Sequence, residues 1–492
     1  MSDRSKQTTS TPRPDLDVVP ERYREDVIDL FDTWEAVRGR NAALRGYIEM
    51  KNATKDLGIS IPPDLVKVNA VVGWADKAVR VRFVRSKFQG FVFEGEQDRR
   101  LDMLTRRNRL VSKYSQGCRG ALTYGCSAMT VMRGSGRRQP PVMVRGFSAN
   151  QCCMLWDKDA DGIGCGIAVV GVDRNGVANR YVLHEPDAVV TLGRDDEYNW
   201  GVVVEKHAMG RPLMVPLVHD ADDDRPLGHS AVTPEVMGII DKAMRDVLRM
   251  EVGAEFFTAP QRYILGAEPE LFGYDAVQGD ADATVDPEAD DSPEKVPRVD
   301  PHKMMRAYLG MFLAISRDSN GDIPQVGQFA PGDAGNFIAV FENDAQRFSG
   351  ATNVPLGQLG VLSNTYTSSD ALGAANDPLI LDVESINARM GESMEEVARL
   401  MMAIDRGVAY DDLHDREMAV IAQFADPAQP TISATADAWT KIGAADQSLV
   451  GTRVWYEGLG LSKATIDRIM AARDQAGSIE ILNEIAKQLG EA

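Results

Sequence analysis

The stretch from Arg225 to Gly266, RPLGHSAVTPEVMGIIDKAMRDVLRMEVGAEFFTAPQRYILG, constrains the fold most, because it dictates one long helix and both of its ends. Thr233 stands at the N-cap, Pro234 occupies the first turn where its missing N–H costs nothing, and Pro260 closes the run. Between them Val236, Ile239, Ile240, Ala243, Val247 and Met250 recur at three- and four-residue steps and form one apolar stripe. Lys242, Arg245 and Arg249 fall within one sector on the opposite side. Two roles are open to these cations: lining a channel, or pairing with acids on a neighbouring helix.

At 492 residues, 44% hydrophobic and 26% charged, the chain has material for several cores. A net charge of −19 argues against binding nucleic acid by neutralising phosphates, which needs basic clusters that release counterions. An acidic protein that handles DNA must let it slide. The five cysteines (118, 126, 152, 153, 165) are odd in number and have no metal-ligand spacing, so reduced thiols are expected. No run approaches a membrane span, and residues 1–17 lack the apolar centre of a signal peptide, so neither export nor membrane insertion is expected. Residues 1–20 read as a disordered polar tail.

Further along, Pro20 opens a helix with the stripe Val27, Phe31, Trp34 and Val37. Strands are expected at Val81 to Val84 and Gly90 to Phe93. Between Arg107 and Met132 a helix through Leu110, Tyr114 and Leu122 should break at Tyr124-Gly125 into a strand of small residues. From Pro141 to Val218 apolar runs separated by Asp/Asn/Gly turns predict a β-rich, mixed α/β domain, with strands at 142–144, 167–172, 181–183, 189–192 and 201–205. A second helix carries Phe337, Phe341, Ala345 and Phe348. The longest helical pattern, Ser369 to Arg406, places Leu379, Val383, Ile386, Met390, Met394, Val397, Met401 and Ile404 on one stripe. Pro378 inside it predicts a kink near 374–377. Small helices close the chain after Asp437, one of them with Trp439 and a last one with the stripe Ile479 to Leu489.

No motif carries catalysis. Asp157, Asp159, Asp161 and Gly162 match the first half of a calcium loop, but its twelfth position is Ala168, and a hairpin turn explains the same residues. Gly162, Gly164 and Gly166 lead into a strand with no Walker lysine, and GxxxxGK[ST], HExxH and GxSxG are absent. Neither an ATPase, a nuclease nor another enzyme is expected, and no cofactor or metal. Two segments stand out by charge. Between Glu268 and Glu294 there are ten carboxylates and no Lys or Arg, which makes either a solvated loop or a docking surface. Phe348 to Ser369 has no charged residue and is rich in Gly, Ser, Thr and Asn, as a linker or an uncharged functional loop would be.

The Arg225 to Gly228 turn, the Thr233-Pro234 helix start and Ala259 to Arg262 resemble the portal, or head-to-tail connector, proteins of tailed bacteriophages. So do Asn108-Arg109-Leu110 with Tyr124-Gly125, Gln325 to Phe329, and Val354-Pro355 through Ser368 to Leu372. This ordered series covers about residues 25–480. The resemblance implies an α+β portal fold: an α/β wing (21–230), a stem helix (231–259), a small α/β clip (260–330) and a second stem helix (331–350). A tunnel loop (351–369), a long kinked helix with wing return (370–436) and a helical crown (437–492) would follow.

It also implies a homo-oligomeric ring, twelve-fold as in the family, at one capsid vertex of the virion, made in the host cytoplasm. Double-stranded DNA would pass through it without sequence specificity. The implied partners are the packaging ATPase (terminase), the major capsid and scaffold proteins and a head-tail adaptor, with no membrane. The tunnel loop would present Val354, Pro355, Leu356, Gln358, Leu359, Asn364, Thr365 and Tyr366 to DNA. The clip would dock partners through Asp280, Asp282, Asp286, Glu288, Asp290, Asp291 and Glu294. A minor capsid or scaffold protein without a channel fits the same composition.

Overall fold

The computed structural model describes residues 10–51, 71–93, 98–134, 136, 138–195, 197–258, 262–265, 325–328, 335–361, 373–428, 432–461, 465–473 and 475. The elements begin with α1 (Arg24–Ile48), α2 (Trp74–Arg85), β1 (Phe88–Phe93), α3 (Arg99–Asn108) and α4 (Leu110–Tyr124). Strands β2 (Cys126–Arg133), β3 (Val142–Ser148), β4 (Cys152–Asp157), β5 (Gly162–Val172), β6 (Ala178–His184), β7 (Ala188–Arg194), β8 (Trp200–Lys206) and β9 (Met214–Val218) follow. Next come α5 (Pro234–Thr258), β10 (Arg262–Leu265), β11 (Gln325–Gln328), α6 (Gly335–Thr352) and α7 (Asp377–Arg406). The last are α8 (Asp415–Met418), β12 (Val420–Phe424), α9 (Ile432–Ala445) and α10 (Arg453–Gly458). The chain forms two compact units, one of Met1–Asn52, Gly73–Met237 and Ser349–Ala492, the other of Ala53–Val72 and Gly238–Phe348.

The first unit is built on an antiparallel meander, β4-β5-β6-β7-β8. Alternate residues face opposite sides of a strand, so Ile167, Tyr181, Leu183, Val190 and Leu192 form a core with Val27, Leu30, Phe31 and Trp34 of α1. On the other face Met154 and Ala168 pack with Ala128, Phe147 and Met214. Ala128 and Met214 belong to a three-stranded sheet of order β3-β2-β9. Proline cannot donate to a ladder, and Pro216 is tolerated because β9 lies at the edge of that sheet; such a proline hides a strand from sequence reading. Helix α7 packs on β2, β9 and β12, and all eight residues of its expected stripe are buried.

Several expectations are corrected. Val81 to Val84 lies inside α2, not in a strand: the residues alternate like a strand, but Ala75, Ala78, Val79 and Arg82 are buried at helical spacing. Residues 10–20 are ordered: Ser10 bridges Val177, the Pro12 carbonyl accepts from the Tyr181 hydroxyl at 2.8 Å, and Arg13 pairs with Asp32 and Glu35. A break does fall where the kink was expected, after the helical residues 373–374, but Pro378 lies beyond it. A turn at 375–376 precedes α7, and Pro378 stands in its first turn, where no intrahelical donor is lost.

Among the described residues of the expected clip, β10 and β11 pair antiparallel. The residues of the expected crown include α10 and a helical run at 465–473, with α9 running into them, while the expected stripe from Ile479 to Leu489 lies outside the described residues. The five cysteines are free thiols, and all except the half-buried Cys126 are buried.

Candidate functional site

The entry to α5 is held by backbone geometry in the first unit. Gly228 has φ +74°, and a Cβ there would sit 2.2 Å from the His219 carbonyl, so only glycine closes the Arg225 to Gly228 turn. Thr233 caps α5, its hydroxyl accepting from the Val236 N–H at 3.3 Å.

In the second unit Ile239, Ile240, Ala243, Met244 and Leu248 of α5 are buried, whereas Val247 and Met250 of the expected stripe are only half-buried. The buried face is thus rotated slightly toward Met244 and Leu248. That rotation brings Asp246 inside. Lys242 donates to Asp246 at 2.9 Å and to Asp344 of α6 at 2.6 Å, and Arg249 donates to Asp246 at 2.9 Å. Asp344 has 0% of its side chain exposed, and its second oxygen lacks a hydrogen-bond partner. Burial raises the pKa of Asp344. Burial also opposes the charge on Asp246, but hydrogen bonds led by that from Lys242 outweigh it and hold this carboxyl low. The Lys242 ammonium, depressed by burial, is raised overall by its bonds to Asp344 and Asp246. Arg245 is half-buried. Asp246 was visible in the sequence as the i+4 neighbour of Lys242; Asp344, more than a hundred residues away, had no local signal.

Past α6, Asn353 takes φ +53°, and Val354 and Pro355 are buried, so these two do not present side chains to a channel in this conformation. A 3₁₀ turn, Leu356–Leu359, then exposes Gly357 and Gln358, with Leu356 and Leu359 half-buried, and Gly360 ends it at φ +81°. Asn364, Thr365 and Tyr366 lie outside the described residues, as do Asp280, Asp282, Asp286, Glu288, Asp290, Asp291 and Glu294. The half-matching calcium loop is a hairpin turn in which Asp157 accepts the Asp159 N–H at 2.9 Å. Among the described residues no cluster could hold a metal, and no helix is long and apolar enough to cross a membrane.

Residues 29–450 match the family described as "Phage portal protein, SPP1 Gp6-like". The chain is similar to the portal protein of Mycobacterium phage L5, 24% identical over 452 residues, 90% of this chain and 86% of that one. The portal protein of Mycobacterium phage D29 is 25% identical over 462 residues, 90% and 87% of the two chains. Among solved structures it is similar, at 12% identity, to a chain in the neck of an empty gene transfer agent particle computed with C6 symmetry. The TM-score there is 0.43, with 86% of this chain and 93% of that one covered.

Proposed function

This chain belongs to the SPP1 Gp6-like family of phage portal proteins, and from that premise we propose that copies of it close into a ring at one vertex of a capsid, the passage for DNA during packaging and ejection. Its role is structural, not enzymatic. The observation that carries the reading is the family match over residues 29–450, which takes in α5, α6 and α7 together. Exposed apolar side chains support assembly: Ile338 and Val340 on α6 are 50% and 42% exposed, apolar surface that contact with a neighbouring copy would cover.

The subunit number is twelve by family resemblance, and the ring resides in the virion. α5 and α6 form the stem. The exposed turn around Gln358 faces the lumen, where the absence of fixed cations between Phe348 and Ser369 spares DNA from traps at each step. The acidic segment Asp280 to Glu294 docks the packaging ATPase and later the tail adaptor, steered by opposite charge.

Class averages of the purified protein by electron microscopy test this. Closed rings with a central hole are expected; monomers, or assemblies without a channel, would leave a minor capsid or scaffold role instead. Deleting residues 280–294 should leave the rings intact and abolish motor engagement.

A further inference from the structure

Helix α2 presents Arg82, Arg85 and Ser86 at i, i+3 and i+4, on one face. Arg82, only 6% exposed, uses its whole guanidinium fork. One nitrogen, Nη1, donates to the Ala78 carbonyl of its own helix at 2.5 Å. Nη2 donates to the Thr352 carbonyl at 2.6 Å and to Asp382 at 2.9 Å, and Nε reaches the same Asp382 oxygen at 3.2 Å. Thr352 is the last residue of α6, and a cation is favoured at the carbonyls of a helix C-terminus. Asp382 lies near the start of α7. One turn on, Arg85 donates to Asn376 at 3.4 Å and to the Pro427 carbonyl at 3.0 Å, and Ser86 donates to Asn387 of α7 at 2.6 Å.

Two arginines of one helix therefore hold the end of α6 and the start of α7. We infer that Arg82, seconded by Arg85, is the positioning residue for the segment that contains Gln358: it fixes where the chain leaves α6 and where it enters α7, and so how far Gln358 stands out. The bonds divide by exposure. The Thr352 carbonyl is reached from inside, Thr352 being 2% exposed, whereas the Asp382 side chain is 34% exposed, so the carboxylate contact is the one that water and salt can weaken. A lysine keeps the charge but cannot bridge these acceptors in one plane. The inference rests on the portal reading only for its consequence, that the segment faces DNA.

The test is hydrogen exchange on the full-length protein as assembled, comparing wild type, Arg82→Met, Arg82→Lys and Asp382→Asn. Amides of residues 353–361 and 377–383 should exchange about tenfold faster or more in Arg82→Met, with partial rescue in Arg82→Lys. Asp382→Asn should show a smaller acceleration at both ends, and residues 390–404 should be unchanged in all variants. Unchanged exchange at the two ends, acceleration at one end only, or uniform acceleration along α7 would each overturn it. Should Arg82→Met not fold, Arg82→Lys and Asp382→Asn decide the outcome alone. Exchange does not require DNA passage, so an absent channel in the micrographs and an absent clamp in this experiment are separate results.

Discussion

Against the five-stranded sheet of the first unit the buried His184 and Glu185 are made neutral; between α5 and α6 the buried Asp246 and Asp344 are met by cations. Between α1 and the five-stranded sheet, Tyr181 meets Phe31 edge-on at 5.3 Å and stacks on Trp200 at 5.7 Å, an apolar closure complete within one chain. The nearby exceptions are His184, fully buried with both ring nitrogens unpaired, and Glu185, with one unpaired oxygen. Burial drives His184 down to about 3, and burial, helped by Asp26 and Asp187, drives Glu185 up to about 8, so each is uncharged near neutrality. Helices α5 and α6 instead enclose Asp246 and Asp344 with Lys242 and Arg249, while Ile338 and Val340 of α6 are exposed.

The comparison is broken most severely by placing a charge in the core beneath the five-stranded sheet. Leu183→Asp puts an unpaired carboxylate at a fully buried position and should cost more than about 4 kcal/mol, seen as loss of cooperative urea unfolding by tryptophan fluorescence. Milder damage follows between α5 and α6. Lys242→Met strands Asp344 and leaves Asp246 with Arg249 alone, and should cost roughly 2 kcal/mol, less than for a fully buried pair because Lys242 is 36% exposed. Adding Asp344→Leu should recover part of that loss; a double variant worse than the single one would show that the pair is not a closed charge unit.

The neutral groups predict a pH profile. His184 has a folded value of about 3 against an ordinary 6.5, so the unfolded chain binds the proton first and stability falls as pH drops from about 6.5 toward 3. Glu185 is the reverse: folded at about 8 against an ordinary 4.5, it keeps a proton the unfolded chain has released, and stability falls as pH rises from about 4.5 to 8. The two slopes oppose each other between about 4.5 and 6.5. Above that range Glu185 dominates, and Glu185→Gln should flatten the alkaline decline of urea midpoints between pH 6.5 and 8. The smallest change in stability is expected from Gln358→Lys, within about 0.5 kcal/mol of wild type at an exposed site. Heads carrying it should nonetheless package DNA more slowly, with the defect fading as salt rises; wild-type rates at low salt would exclude position 358 from the DNA path.

Helices were legible in the sequence where the pattern was long. The α7 stripe and the start of α5 could be read from Leu379 to Ile404 and from Thr233-Pro234, because three- and four-residue periodicity and capping are properties of neighbours in sequence. Short or irregular elements were not: Pro216 masked β9, and the alternation around Arg82 imitated a strand. The chain order of a β-rich region, α5, α6 and α7 was likewise legible in linear pattern. What only the tertiary structure decided are the pairings across large separations, Lys242 with Asp344 and Arg82 with Thr352 and Asp382. A surface lysine and a buried one look alike in sequence, and which of 73 carboxylates meets which cation depends on how helices are rotated against one another. That rotation is set by packing of whole apolar faces. No local window contains it.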